Sequence, residues 1–243
     1  MSNDVNDQLF LVGGKSGAGK SASLMNLANP EGVMYLGTEA GKKLPFRSKF
    51  KEFKIVDPAQ VEEGFAAAEA MPEIHTIVID TLSFLMDQYE SLYVLNSANT
   101  MKAWGDYAQY FKRLMQQHVA KSTKNVIFLA HVSDVMTEDA ILETCVKVKG
   151  SIMNQGVEAY FSTVVAAKKV QLKDLKDNES DLLNITPQEE ALGFKHVFQV
   201  QLTKKTVNER IRSPMGLWAP KEIYIDNDCE AVLNRLREYY GED

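Results

Sequence analysis

Short apolar runs separated by amphipathic stretches predict the order of elements along the chain. Leu9 to Val12 is an apolar run ending in glycines, the pattern of a buried strand. Ser21 to Ala28 predicts a helix, stopped by Asn29, Pro30 and Gly32. Val33 to Leu36 and Phe53 to Val56 predict the next two strands. Asp57 and Pro58 supply an N-cap and a proline at the first helical position, with Gln60 completing a capping-box-like pattern. That helix runs through Phe65-Ala66-Ala67-Ala68 towards Pro72, and core packing is the expected use of the segment. Thr76 to Ile79 is a β-branched run ending in Asp80, which fits a strand buried on both faces. Trp104, Tyr107, Ala108, Phe111, Leu114, Met115 and Val119 recur at helical spacing and lead into the apolar run Asn125 to Ala130. Strands alternating with helices predict an α/β fold with a mostly parallel central sheet and helices on both faces.

Beyond His131 the pattern loosens into an antiparallel-looking extension. Thr163 to Leu172 and Lys195 to Thr203 alternate as strands do, Ile223 to Ile225 is a short strand, and Glu230 to Tyr240 is a closing helix. The polar stretch of about residues 173–195 reads as a mobile loop, with the acidic run Asp177 to Asp181 facing solvent. Residues 1–8 read as a flexible N-terminus. With no internal repeat and no clear linker, the expectation is one domain spanning residues 1–243.

The chemistry concentrates where the first strand ends. Gly14-Lys15-Ser16-Gly17-Ala18-Gly19-Lys20-Ser21 matches GxxxxGK(S/T), lies after a strand and precedes a predicted helix, which is the context this motif requires. Its glycines let backbone N–H groups turn inward as an anion nest. Lys20 is placed to reach the β- and γ-phosphates of a nucleotide, and the Ser21 hydroxyl to ligate Mg²⁺. A metal-holding acid is expected at the end of a buried strand. Asp80 is that candidate, with a helix N-cap as its alternative role. Hydrolysis further needs a group that orients or deprotonates water. Glu39, after the second strand, is placed for that role or is a solvated loop residue. His131 ends the Asn125 strand, either as a γ-phosphate sensor or as an ordinary core or loop histidine.

Composition narrows the function classes. The 243 residues are 45% hydrophobic and 25% charged, with a net charge of −6. That balance disfavours DNA binding by bulk positive charge but not a local basic groove. Cys145 and Cys229 lie far apart without CxxC spacing, so a zinc site or disulfide framework is not expected and a reduced, cytoplasmic setting is. No apolar run approaches membrane-spanning length and the polar N-terminus is not a signal peptide, so no membrane partner is expected. A GTPase is disfavoured because no Asn-Lys-x-Asp motif is present and Asp80 is followed by Thr-Leu-Ser. A small-molecule P-loop kinase stays open as an alternative because it needs the same phosphate loop, although such kinases usually carry a lid with several arginines and this chain has six arginines in all.

Together, the phosphate loop, the strand ending in Thr38-Glu39, the run ending in Asp80 and the run ending in His131 resemble RecA-type core ATPases. The likeness is closest to compact phage-encoded members, the Sak-type single-strand annealing group, and spans roughly residues 9–225. The helix around Trp104 to Tyr107 and the segment Thr203 to Pro220 add to it. The resemblance implies an ATP- and Mg²⁺-dependent ATPase acting on single-stranded DNA in recombination or annealing. It also implies a homo-oligomer with ATP at subunit interfaces and the possible company of a single-strand DNA-binding protein. Glu39 aligns with the water-activating glutamate, and His131 with the polar residue coupling γ-phosphate to DNA loops. Lys204 and Lys205 align with lysines that reach a neighbour's ATP. Followed by Arg210 and Arg212, that pair is consistent with a trans-acting cation or with a solvated strand tip. The chain begins close to its first strand, so the N-terminal oligomerisation segment of full recombinases is expected to be lacking.

Lys147, Lys149, Lys168, Lys169, Lys173 and Lys176 face only Glu158 and Asp174 within their segment. The first four are the candidate DNA contacts, a solvated face being the other reading. Tyr160 or Phe161 could stack bases, although core packing is the commoner use. A different function class also fits: an ATP-regulated assembly or packaging factor in which Lys204, Lys205, Arg210 and Arg212 serve a subunit interface without DNA.

Overall fold

The computed structural model describes residues 5–39, 41–176, 178 and 180–241. The first half alternates strands and helices: β1 (Leu9–Gly14), β2 (Val33–Gly37), β3 (Lys51–Lys54), α1 (Ala59–Glu69), β4 (Thr76–Asp80), α2 (Leu82–Tyr89), α3 (Thr100–Arg113) and β5 (Asn125–Met136). The second half holds β6 (Leu142–Val146), α4 (Ser151–Gln155), β7 (Thr163–Gln171), α5 (Leu172–Leu175), α6 (Pro187–Leu192), β8 (Phe194–Gln199), β9 (Tyr224–Asp226) and α7 (Cys229–Tyr240). The main sheet runs β3-β2-β4-β5-β1-β7-β8-β9. Strands β3 through β7 in that order are parallel, and β8 and β9 are antiparallel.

Two apolar layers sandwich the sheet, which is why its central strands read as continuous hydrophobic runs. Leu11, Ile77, Ile79, Val126 and Phe128 face α1, α2 and α3, joined by Phe65, Leu85, Tyr107 and Phe111. Phe10, Val12, Val78, Ile127 and Leu129 face the other way, against Leu24, Phe198 and the α7 residues Val232, Leu233 and Leu236. Burying each such side chain contributes about 1.5–3 kcal/mol. Phe65 and Ala68 are core residues of α1, and Phe161 is buried.

Several expectations need correction. The helix predicted over Ser21 to Ala28 is a single tight turn, Ser21–Leu24. Ser23 Oγ donates back to Lys20 O at 2.6 Å, and the Ala28 N–H goes to Glu230 Oε2 on α7 at 3.1 Å, so the backbone finds partners outside a helix. The strand at Thr163 joins the parallel sheet to the expected antiparallel extension: β7 pairs in parallel with β1 and antiparallel with β8. β5 continues past His131, and its outer half pairs with β6 as an antiparallel arm. The 173–195 stretch is not a bare loop. It holds α5 and α6, α6 begins with a Thr186/Glu189 capping box, and Leu175 and Leu183 pack on Val197. Asp177 and Glu179 of its acidic run lie outside the described residues, while Asp181 is exposed. Of the predicted flexible N-terminus, residues 1–4 lie outside the described residues. Asn6, in contrast, is tied down: its N–H donates to Ala120 O at 3.1 Å and its side chain to Lys124 O at 2.9 Å.

Candidate nucleotide site

Four parallel strands deliver the expected residues to one edge. In register, Gly14 on β1 lies beside His131 on β5, and Gly37 on β2 beside Asp80 on β4. In such sheets ligands bind outside the carboxyl ends of the strands. β5 separates the phosphate-loop strand β1 from the acid-bearing strand β4.

The loop from Gly14 to Ser21 is braced from behind. His196 Nε2 donates to Gly17 O at 3.3 Å and Asn227 Nδ2 to Gly19 O at 2.9 Å, from β8 and the end of β9. Gly19 sits at φ +99°, and a Cβ there would stand 2.9 Å from Asn227 Nδ2, so both the backbone and the brace require glycine. The Lys20 ammonium is buried and donates to Gly14 O at 2.9 Å and Lys15 O at 3.1 Å. Burial pushes its pKa down to about 8, aided by the charge of Lys42 and opposed by Asp80 and Glu39. Lys15, outside the cradle, pairs with Asp134 on the β5–β6 arm at 2.7 Å.

Asp80 is 1% exposed, and its Oδ2 accepts from Ser21 Oγ at 2.7 Å and Tyr35 Oη at 2.8 Å. Its Oδ1 is buried without a hydrogen-bond partner among the described residues. Thr81, not Asp80, caps α2, through its Oγ1 and the Phe84 N–H at 3.4 Å. A buried carboxylate oxygen left open beside a serine hydroxyl is a hard-oxygen donor set that fits Mg²⁺.

Glu39, His131 and Lys20 form a chain. Lys20 Nζ lies 3.4 Å from His131 Nδ1, and His131 Nε2 lies 3.1 Å from Glu39 Oε1. An ammonium can only donate, so Nδ1 accepts and the ring proton on Nε2 is aimed at Glu39. Lys42 Nζ meets the other Glu39 oxygen at 2.6 Å. Burial pushes the Glu39 carboxyl up, but the hydrogen bonds from Lys42 and His131 outweigh it, so the group titrates below the usual glutamate range. Ser83 fixes the His131 backbone: His131 N donates to Ser83 Oγ at 3.1 Å, which donates to His131 O at 3.3 Å. Phe84 packs edge-on against the His131 ring. Thr38 Oγ1 donates to Thr81 O and accepts from Thr81 N, both at 2.8 Å, locking the end of β2 to the end of β4.

The remaining predicted residues do not join this cluster. Lys204 and Lys205 are exposed on the turn after β8. Arg210 pairs with Glu143 and Glu158, and Arg212 is exposed while its backbone pairs with Val164. Of the four candidate DNA-contacting lysines, Lys149 pairs with Glu90 and Lys168 with Glu209. Lys169 lies over the Phe194 ring and Lys147 is exposed. A cleft of about 460 Å³ adjoins the loop between β7 and residues 209–211, lined among others by Gly13, Val132, Val164 and Ile211. It does not reach Glu39, Asp80 or His131.

Sequence reasoning overlooked Tyr35, Lys42 and a basic crossover. The β2–β3 connection and β3 carry Lys42, Lys43, Arg47, Lys49, Lys51 and Lys54 against Glu39 and Glu52 alone. Lys43, Arg47 and Lys54 are exposed and make no ion pair among the described residues. Tyr35 could have been found from its position: a tyrosine in a fully buried strand needs a partner for its hydroxyl.

A phosphate loop at the edge of a mostly parallel sheet, with a buried acid two strands away, defines a P-loop nucleoside-triphosphatase core. A family model described as an AAA domain matches residues 6–168, more than half of the chain, and the chain belongs to that family. No curated protein matches it.

Proposed function

We propose that this protein is a Mg²⁺-dependent ATPase of RecA-like type that acts on single-stranded DNA in recombination or annealing, in a phage setting and in the cytoplasm of the host. The observation that carries the reading is the Lys20–His131–Glu39 chain, because His131 stands at the root of the β5–β6 arm. A change at the γ-phosphate therefore bears on a projecting element through one residue. Mg²⁺, when bound by Ser21 and Asp80, neutralises charge on the β- and γ-phosphates. Lys20 holds the phosphates, Glu39 orients and deprotonates water, and the loop amides cradle the anion.

Exposed Lys147 and Lys169, with Lys43, Arg47 and Lys54 on the crossover, supply cations for a DNA backbone. Lys204 and Lys205 are proposed to reach a neighbouring subunit's ATP in a homo-oligomer, and a single-strand DNA-binding protein is a proposed partner. The test is ATP turnover titrated with single-stranded DNA at low salt. Turnover should rise, and the rise should fade with added salt as counterion release predicts. No DNA binding and no stimulation would remove the DNA half. Lys20→Ala should abolish turnover, and Glu39→Gln should retain ATP while losing about 10²–10⁴-fold in rate. Unchanged rates would overturn the site assignment.

A second reading, an ATP-regulated assembly factor, is favoured by the arm itself. Residues 132–146 contain Asp134, Glu138, Asp139 and Glu143 and no basic residue, and Met136, Ile141 and Leu142 are exposed near the tip. That chemistry suits a protein partner. Nucleotide-dependent change in mass without DNA, and no DNA stimulation of turnover, would select it.

A further inference from the structure

We propose that Lys42 is a switching cation of this site: it holds Glu39 in an ion pair when no triphosphate is bound, and moves its ammonium to the γ-phosphate when ATP enters, freeing Glu39 for the attacking water. This inference rests on the ATPase reading and adds a residue that the phosphate-loop pattern does not contain.

The geometry converges from two directions. Gly41, at φ +76°, lets the chain turn back after Glu39, and Lys42 N donates to Glu39 O at 3.3 Å. The turn delivers the Lys42 ammonium to Glu39 Oε2 at 2.6 Å, while His131 holds Oε1 at 3.1 Å. Both oxygens of the water-activating carboxylate are thus engaged by donors, and a carboxylate so engaged is a poor base. Glu39 is faced by Lys42 from its own turn and by His131 from β5, and its charge is felt at Lys20 on the phosphate loop and Tyr35 on β2.

Lys42 and Lys20 bear on one space. The two cations are joined through one chain of contacts: Lys42 Nζ meets Glu39, Glu39 meets His131 Nε2, and His131 Nδ1 lies 3.4 Å from Lys20 Nζ. Such a cluster suits a polyanion placed among them. The Lys42–Glu39 pair is half open to solvent on the lysine side, with the Lys42 side chain 49% exposed, and ion pairs of that kind are weak. A γ-phosphate carries more charge than a carboxylate, so exchange of partners runs towards the phosphate. With Lys42 moved, Glu39 takes a proton from water as the water oxygen bonds to the γ-phosphorus. The bond to the β–γ bridging oxygen breaks, its electron pair leaves with ADP, and inorganic phosphate is the second product.

The test compares Lys42→Met and Lys42→Arg with the unaltered protein, using titrations with ADP and with a non-hydrolysable ATP analogue. Lys42→Met should weaken the ATP analogue roughly tenfold while ADP affinity stays within about twofold, and Lys42→Arg should restore most of the loss. The acidic limb of the kcat/KM–pH profile, which reports the nucleotide-free enzyme, should also move to higher pH in Lys42→Met, because Glu39 there loses a cation. Equal weakening of both nucleotides, or of neither, with the pH limb unmoved, would overturn the proposal while leaving the ATPase reading in place. If the unaltered protein binds neither nucleotide, the ATPase reading itself fails, and the proposal with it.

Discussion

Tyr35→Phe isolates one hydrogen bond at the heart of the nucleotide site. Tyr35 is 7% exposed, and its hydroxyl donates to Asp80 Oδ2 at 2.8 Å, on a carboxylate that is 1% exposed. Burial, with the adjacent Asp80 charge, pushes the Tyr35 phenol far above its ordinary range, so the hydroxyl remains a donor throughout the working pH range. The substitution keeps the ring and its packing, so no large cavity term enters. What is lost is a hydrogen bond to a charged group, worth about 1.5–3 kcal/mol, and Oδ2 is left with Ser21 as its donor. For a chain of this size that corresponds to a fall of about 3–12 °C in Tm. Urea unfolding at neutral pH measures it directly, with the denaturant slope unchanged. The decisive control is a double-mutant cycle: in an Asp80→Ala background, Tyr35→Phe should cost close to nothing. The same loss in both backgrounds would show that the energy does not come from this pair, and a loss below about 0.5 kcal/mol in the unaltered background would refute the bond's contribution.

Three further outcomes follow. Gly19→Ala should keep the fold but lower nucleotide affinity at least roughly tenfold, since φ +99° and the Asn227 brace leave no room for a Cβ, and the strain falls in the range of about 1–3 kcal/mol; a fluorescent-nucleotide titration showing full affinity would contradict the brace. Leu175→Ala should cost about 2–5 kcal/mol in urea unfolding, because Leu175 is fully buried against Val197, whereas an unstructured 173–195 loop would lose nothing. Lys20, held at a pKa of about 8 instead of 10.5 by burial, should take up a proton as ATP binds at pH 9 and none at pH 6, read by calorimetry in buffers of different ionisation enthalpy. By the same sign, this group destabilises the free protein at neutral pH, and its contribution to stability improves as pH rises from about 8 towards 10.5; uptake that does not depend on pH would refute the depressed value.

The residues legible in the sequence were those whose role is set by local spacing. The phosphate loop follows from eight consecutive residues, and Asp80 follows from its place after a β-branched run. Parallel register then forces Gly14, Asp80 and His131 to one edge without any further signal. The Ser21 helix was misread because the competing partners, Asp228 and Glu230, lie some two hundred residues away, and nothing near Ser23 or Asn26 announces them. The β5–β6 arm was missed for a related reason. β5 carries its continuous buried run only as far as Ala130, and the arm beyond is held by ladder bonds and the Asp134–Thr144 contact rather than by a continuous apolar face.

Charge is the property that counting along the chain resolves least well. Lys149 and Lys168 stand in the segment with the clearest lysine excess, yet their partners are Glu90 and Glu209, far away in sequence. The lysine excess there is therefore smaller as a field than as a count, since Glu90 and Glu209 bring negative charge beside Lys149 and Lys168. The crossover after β2 shows the reverse. It has no helix to give it periodicity, and its basic residues come in ones and twos, yet Lys43, Arg47 and Lys54 keep their charge open to solvent and Lys42 turns inward to Glu39. One end of this basic segment is thereby tied to the Glu39 carboxylate. An anion running along the crossover and a triphosphate in the loop would then compete for, or share, the same lysine. Under the proposed function, polymer binding and hydrolysis would then be coupled through Lys42 as well as through His131, the first from the β2 side and the second from β5.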